Sequence, residues 1–139
     1  MGLDLYFFKK NINIHEVREN ISNLYDKLRF LQDEIEQLED IYDDAKLADV
    51  HLTHNLTKMA DAVGLYEVLW KPDEIGITMA SQMIPFLEKG IKELRESPEH
   101  YKTFNAPNGW GTYEDFVRFC DSVLHWCNKY PDAVIEANA

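Results

Sequence analysis

Residues 105–116, NAPNGWGTYEDF, set two glycines around Trp110 and then open a helix with Thr112. A glycine-rich loop in front of a helix can cradle a phosphate on its free amide groups. The side chains argue against that use here. Asn108-Gly109 is a turn pair, and Thr112 stands at capping-box distance from Asp115. Glu114 and Asp115 place two carboxylates where a phosphate would sit, and no Lys or Arg lies within the stretch. The spacing matches neither G-x-x-x-x-G-K-[ST] nor G-x-G-x-x-G. The expectation is a turn followed by a capped helix, with Trp110 as a core plug rather than a pocket wall.

Other reactive side chains offer little chemistry. His51 and His54 would share a face on a helix, but the alternation around them reads as a strand, which points them to opposite faces. Neither C-x-x-C nor H-E-x-x-H occurs, so no metal and no cofactor are expected. Cys120 and Cys127 lie two turns apart on one helix, roughly 10 Å between Cα atoms, too far for a disulfide. They face the core and should be inert. Ser81 and Ser122 sit inside helices, and no G-x-S-x-G elbow is present. No catalytic residue is assigned; a non-enzymatic role is the expectation.

Two groups remain as candidate binding residues. One is the run Asp33, Glu36, Glu39, Asp40, Asp43 and Asp44, which with Glu34 has no Lys or Arg inside it. It lacks the ligand spacing and central Gly of an EF-hand loop. It also leaves a helix C-terminus with the charge its dipole disfavours. A solvated helix face would explain it, and so would a surface for a basic partner. The other group is His54, Asn55, Trp70, Asn108, Trp110 and Tyr113, whose amides, imidazole and rings suit stacking on a nucleotide-like ligand.

The elements that would position these groups follow from periodicity. From residue 14 to 47, apolar residues recur at alternating spacings of four and three: Val17, Ile21, Leu24, Leu28, Leu31, Ile35, Leu38, Tyr42 and Ala45. That is an uninterrupted heptad series. Asn13 and Glu16 mark its start. The stripe is narrow, as in a coiled coil between two copies or a helix lying in a groove of its own chain. Further helices are read from about 53–55 to Val63, ended by Gly64, from 78 to 96 with Pro85 inside, and from 113 to 129. Gly90 suggests close packing on a neighbour. Residues 3–10, 49–54 and the C-terminal YPDAVIEA read as short strands. The expected class is α+β, mostly α: about four helices with a small two- to three-stranded sheet and one long heptad-patterned helix.

Bulk composition bounds the function. A chain of 139 residues fits one domain with residues 14–47 as a helical arm. Hydrophobic content of 45% supports a core. A formal charge of −11 disfavours direct nucleic-acid binding and anionic membranes. The apolar N-terminal stretch is too short for a signal or a span. Cysteine usage fits a reducing, cytoplasmic setting.

The segments MGLDLYFFKK, THNL within LTHNLTKMADAVGLYEVLW, NGWGTYE within NGWGTYEDFVRF, and Pro131-Asp132-Ala133 together resemble a family of uncharacterised small phage and prophage proteins. The resemblance covers residues 1–10 and about 48–136, with the heptad helix outside it. It implies a bacterial host cytoplasm and no activity; no catalytic residue is carried over.

Three functions stay open. The first is a non-enzymatic acidic interaction protein of phage or mobile-element origin, inhibiting a host defence or nucleic-acid-binding protein through its acidic helix. The second is a protein that binds or sequesters a nucleotide-like molecule with the THN and NGWG segments. The third is a structural or assembly protein that dimerises through residues 17–45.

Overall fold

Asn13 opens the first helix, α1 (Ile14–Ala45), by accepting a hydrogen bond from the Glu16 amide at 3.2 Å. The cap expected from the Asn13–Glu16 spacing is thus present. No Gly or Pro interrupts the next 32 residues, so the helix runs for about 48 Å. The computed structural model describes residues 2–52 and 55–138. The chain divides into two units, Met1–Lys46 and Leu47–Ala139.

The first unit is α1 with the segment before it. No residue of α1 is buried. The preceding aromatic residues form no strand; Phe7 is 93% exposed, Tyr6 stacks on Phe8 with ring centroids 6.4 Å apart, and the Arg18 guanidinium lies over the Phe8 ring.

The second unit holds the core. Its helices are α2 (Thr57–Ala62), α3 (Tyr66–Trp70), α4 (Ala80–Glu96), α5 (Pro98–Lys102) and α6 (Tyr113–Lys129), with a 3₁₀ turn at Pro72–Ile75. α4 and α6 pack along each other and are 17 residues each. Met83, Leu87, Ile91 and Leu94 of α4 meet Phe116, Cys120 and Cys127 of α6 in one buried cluster that also takes Leu56, Met59 and Leu65. Gly64 adopts φ +78° and ends α2, as its position suggested. Gly90 is the point of closest approach: a Cβ there would lie 2.5 Å from Leu65 Cδ1.

The small sheet expected from the sequence is absent among the described residues, where the fold is all-helical. The class is therefore all-α, with six α-helices rather than four helices and a sheet. The only strand-like pairing described is one antiparallel bridge, Met79 with Val134. Residues 3–9 are aromatic-rich and residues 49–52 alternate, but among the described residues no strand pairs with either, and an isolated strand is not stable in water. The C-terminal segment has a different task. Its Ala133 and Pro131 carbonyls accept from the amides of Ala80 and Ser81, each at 2.9 Å. These are free N–H groups of the first turn of α4. Gln82 Oε1 accepts from the Met79 and Thr78 amides at 3.0 and 2.7 Å and completes the cap.

Candidate functional site

The NGWG loop is built by its own backbone. Gly109 and Gly111 take φ +75° and +118°, conformations that disfavour other residues. The Gly109 amide donates to the Ala106 carbonyl at 3.1 Å, and the Ala106 amide to the Gly111 carbonyl at 3.0 Å. Asn105 Oδ1 accepts from the Tyr113 amide at 2.7 Å, and Asn108 Oδ1 accepts from the Trp110 amide at 3.0 Å. Thr112 Oγ1 accepts from the Asp115 amide at 3.2 Å, and Asp115 Oδ2 accepts from the Thr112 amide at 3.3 Å. The capping box expected at these two residues is formed. Its amides are thereby taken, and Glu114 and Asp115 stand in the first turn.

Trp110 does not plug the core. It is 70% exposed, between two glycines in positive-φ conformations. Tyr113 donates its hydroxyl to the Leu94 carbonyl at 2.7 Å, which ties α6 to α4. Trp70 stacks on Tyr66 with centroids 5.6 Å apart. Asn55 takes φ +75° just before α2. His54 lies outside the described residues, as does the Thr53 beside it. Asn108 Oδ1 and the hydroxyl of Tyr113 thus serve the fold. Two surface hollows, one lined by Ile91, Arg95, Asp121 and Leu124 and one by Asp26, Lys27, Phe30 and Leu31, include none of these six residues.

Cys120 and Cys127 are free and buried, as expected. Burial, with the Asp121 carboxylate adding to it, pushes the Cys120 thiol up to about 12. Burial also raises that of Cys127. Both thiols stay protonated at neutral pH and are poor nucleophiles. Tyr101 is raised by burial and then by Glu93. Among the described residues no three His, Cys, Asp or Glu side chains converge on one point, and no helix is long and apolar enough to cross a membrane.

The acidic run has a different setting. Asp33, Glu36, Glu39, Asp40, Asp43 and Asp44 all lie on α1 and are all exposed. None of the described ion pairs involves them. At 100° per residue, Asp33, Glu36, Asp40, Asp43 and Asp44 fall on the side of α1 away from the heptad stripe. Glu39 flanks the stripe. The last turn of α1 contains no basic residue, so the helix dipole adds to their negative field. α1 is therefore two-sided: an apolar stripe and, over its C-terminal half, an acidic face. The heptad spacing exposed the stripe in the sequence; that none of the described ion pairs involves the acidic face emerges only from the structure.

Comparison of the chain with protein-family models, curated proteins and solved structures gave no match.

Proposed function

We propose that this chain is a non-enzymatic interaction protein of phage or mobile-element origin whose acidic α1 face engages a basic surface on a host protein. The observation that carries this reading is the run of seven carboxylates from Asp33 to Asp44, exposed and without a described ion pair. An exposed, unpaired charge array gains little for its own fold. It is well suited to attract an oppositely charged surface and to speed encounter.

The charge density favours one class of target. The five carboxylates on the side away from the stripe span about 16 Å of helix axis, or one charge per roughly 3.3 Å. Duplex DNA carries one per about 1.7 Å. A basic groove shaped for nucleic acid would meet a continuous row of negative charge on α1 at about half that density, and occupation of such a groove is the inhibitory mechanism. The nucleotide-like ligand reading gains no comparable support, because Asn108 Oδ1 and the Tyr113 hydroxyl are engaged by the fold and neither described hollow includes the residues it needs.

The test is capture from a bacterial lysate on immobilised protein, with the Glu36→Gln/Glu39→Gln/Asp40→Asn/Asp43→Asn variant as control. The expected result is a basic nucleic-acid-binding protein retained at low salt, released as ionic strength rises, and lost with the variant. A partner retained equally by the variant and insensitive to salt would contradict the proposal.

A further inference from the structure

We infer that the apolar stripe of α1 docks on the same stripe of a second copy, with the two helices antiparallel. This goes beyond the acidic-face reading, since stripe and acidic face lie on different sides of the helix. Leu24, Leu28, Leu31, Ile35 and Leu38 of the stripe are each about half exposed or more. From Val17 to Ala45 it is about 42 Å long. The longest helices of the second unit have 17 residues, about 25 Å. The helix on this chain that matches the stripe in length is α1 itself.

Antiparallel pairing makes the stripe self-complementary. Layers then join Ile21 to Leu38 of the second copy, Leu24 to Ile35, and Leu28 to Leu31. The mirror point falls between Arg29 and Phe30, the midpoint of Ile14–Ala45, so the whole helix is used. The outer layers set small against large: Val17 meets Tyr42, and Ala45 meets Ile14.

Charge chooses the orientation. Residues 14–29 hold Glu16, Glu19 and Asp26 against Arg18, Lys27 and Arg29, a net charge of zero. Residues 30–45 hold seven carboxylates and no cation. A parallel pair would align the two acidic halves and set Glu34 against Glu39 of the second copy. An antiparallel pair sets each acidic half against a neutral half and opposes the helix dipoles. It also brings Lys27 beside Glu34 of the second copy, twice by symmetry, with Arg18 within reach of Glu39. Flanking charges of this kind fix partner orientation in coiled coils.

The experiment uses the full chain, with molar mass by light scattering over a concentration series and helicity by circular dichroism on each variant. The wild type is expected at twice the 16.3 kDa of one chain. Glu34→Lys is expected to weaken the dimer about tenfold, by setting Lys27 against a second cation. Lys27→Glu/Glu34→Lys is expected to restore it. Lys27 and Glu34 are not helical neighbours, so neither change should alter α1 alone. Orientation is read separately by oxidising a mixture of Ile21→Cys and Leu38→Cys chains: they should cross-link to each other, while neither cross-links to itself. The native thiols are buried and can be left in place. A monomer across the series, a larger oligomer, a tighter dimer with Glu34→Lys, or self-linked Ile21→Cys would each overturn the inference. An intact dimer together with no basic partner captured by the wild type would count against the acidic-face reading alone.

Discussion

Gly90→Ala tests the tightest contact of the second unit. A Cβ at residue 90 would stand 2.5 Å from Leu65 Cδ1, 2.8 Å from Cγ and 3.0 Å from Cδ2. Carbon atoms prefer about 3.5–4.0 Å. Leu65 is 1% exposed, so its side chain has no open space to move into, and the relief must come from shifting α4 or α3. Overpacking of this size costs about 1–3 kcal/mol. Alanine returns roughly 0.8–1.0 kcal/mol over glycine inside a helix. The balance is a loss of up to about 2 kcal/mol, readable as a lower urea midpoint with an unchanged slope. Leu65→Ala alone should lose about 2–5 kcal/mol by opening a cavity. The double variant should fall short of the sum by at least about 1 kcal/mol, because the new methyl enters the space that Leu65 vacates. A Gly90→Ala chain more stable than wild type, or two strictly additive losses, would refute the packing described.

Thr112→Ala removes the acceptor for the Asp115 amide at the start of α6 and is expected to lower stability by about 1 kcal/mol, with Thr112→Ser close to wild type in denaturant melts. The thiol of Cys120 ionises near its ordinary 9.0 once unfolded and only at about 12 when folded. Above pH 9 the unfolded chain therefore binds fewer protons than the folded one, so this group's contribution is complete below pH 9 and shrinks as pH rises. The stability difference between wild type and Cys120→Ala should fall by about 1.4 kcal/mol per pH unit there, and native thiol alkylation at pH 8 should be far slower than in urea. Leu31→Asp removes two central layers of the paired helices, each worth about 1.5–3 kcal/mol of burial; the dimer constant should weaken at least about a hundredfold, while the melting of the second unit stays unchanged.

The helices were legible because their signals are local. The heptad spacing, the Asn13 and Thr112 caps, Gly64 at a left-handed position and the glycine at residue 90 each act through neighbours a few residues away or through one flat helix face. The strands were misread because alternation is only half of a strand. Residues 3–9 are aromatic-rich and residues 49–52 alternate, yet among the described residues no strand pairs with them. The segment around Val134 spends its carbonyls on the first turn of α4. Trp110 failed for a related reason: Gly-Trp-Gly announces an unusual backbone, but which way the ring points depends on φ +75° and +118° around it. In the candidate surface, the acidic run could be read directly. That none of the described ion pairs involves it could not, because ion pairs depend on side-chain positions that spacing does not give.

The most direct measurement compares thiol labelling at two positions of α1, Leu31→Cys on the stripe and Glu36→Cys on the acidic face, across a range of protein concentrations. Both positions are exposed in the single chain, Leu31 at 53%. A two-sided helix that pairs through its stripe predicts protection of residue 31 that grows with concentration, and a constant, fast rate at residue 36. Equal rates at both positions at every concentration, or protection of both, would contradict the division of α1 into a self-docking face and an open acidic one.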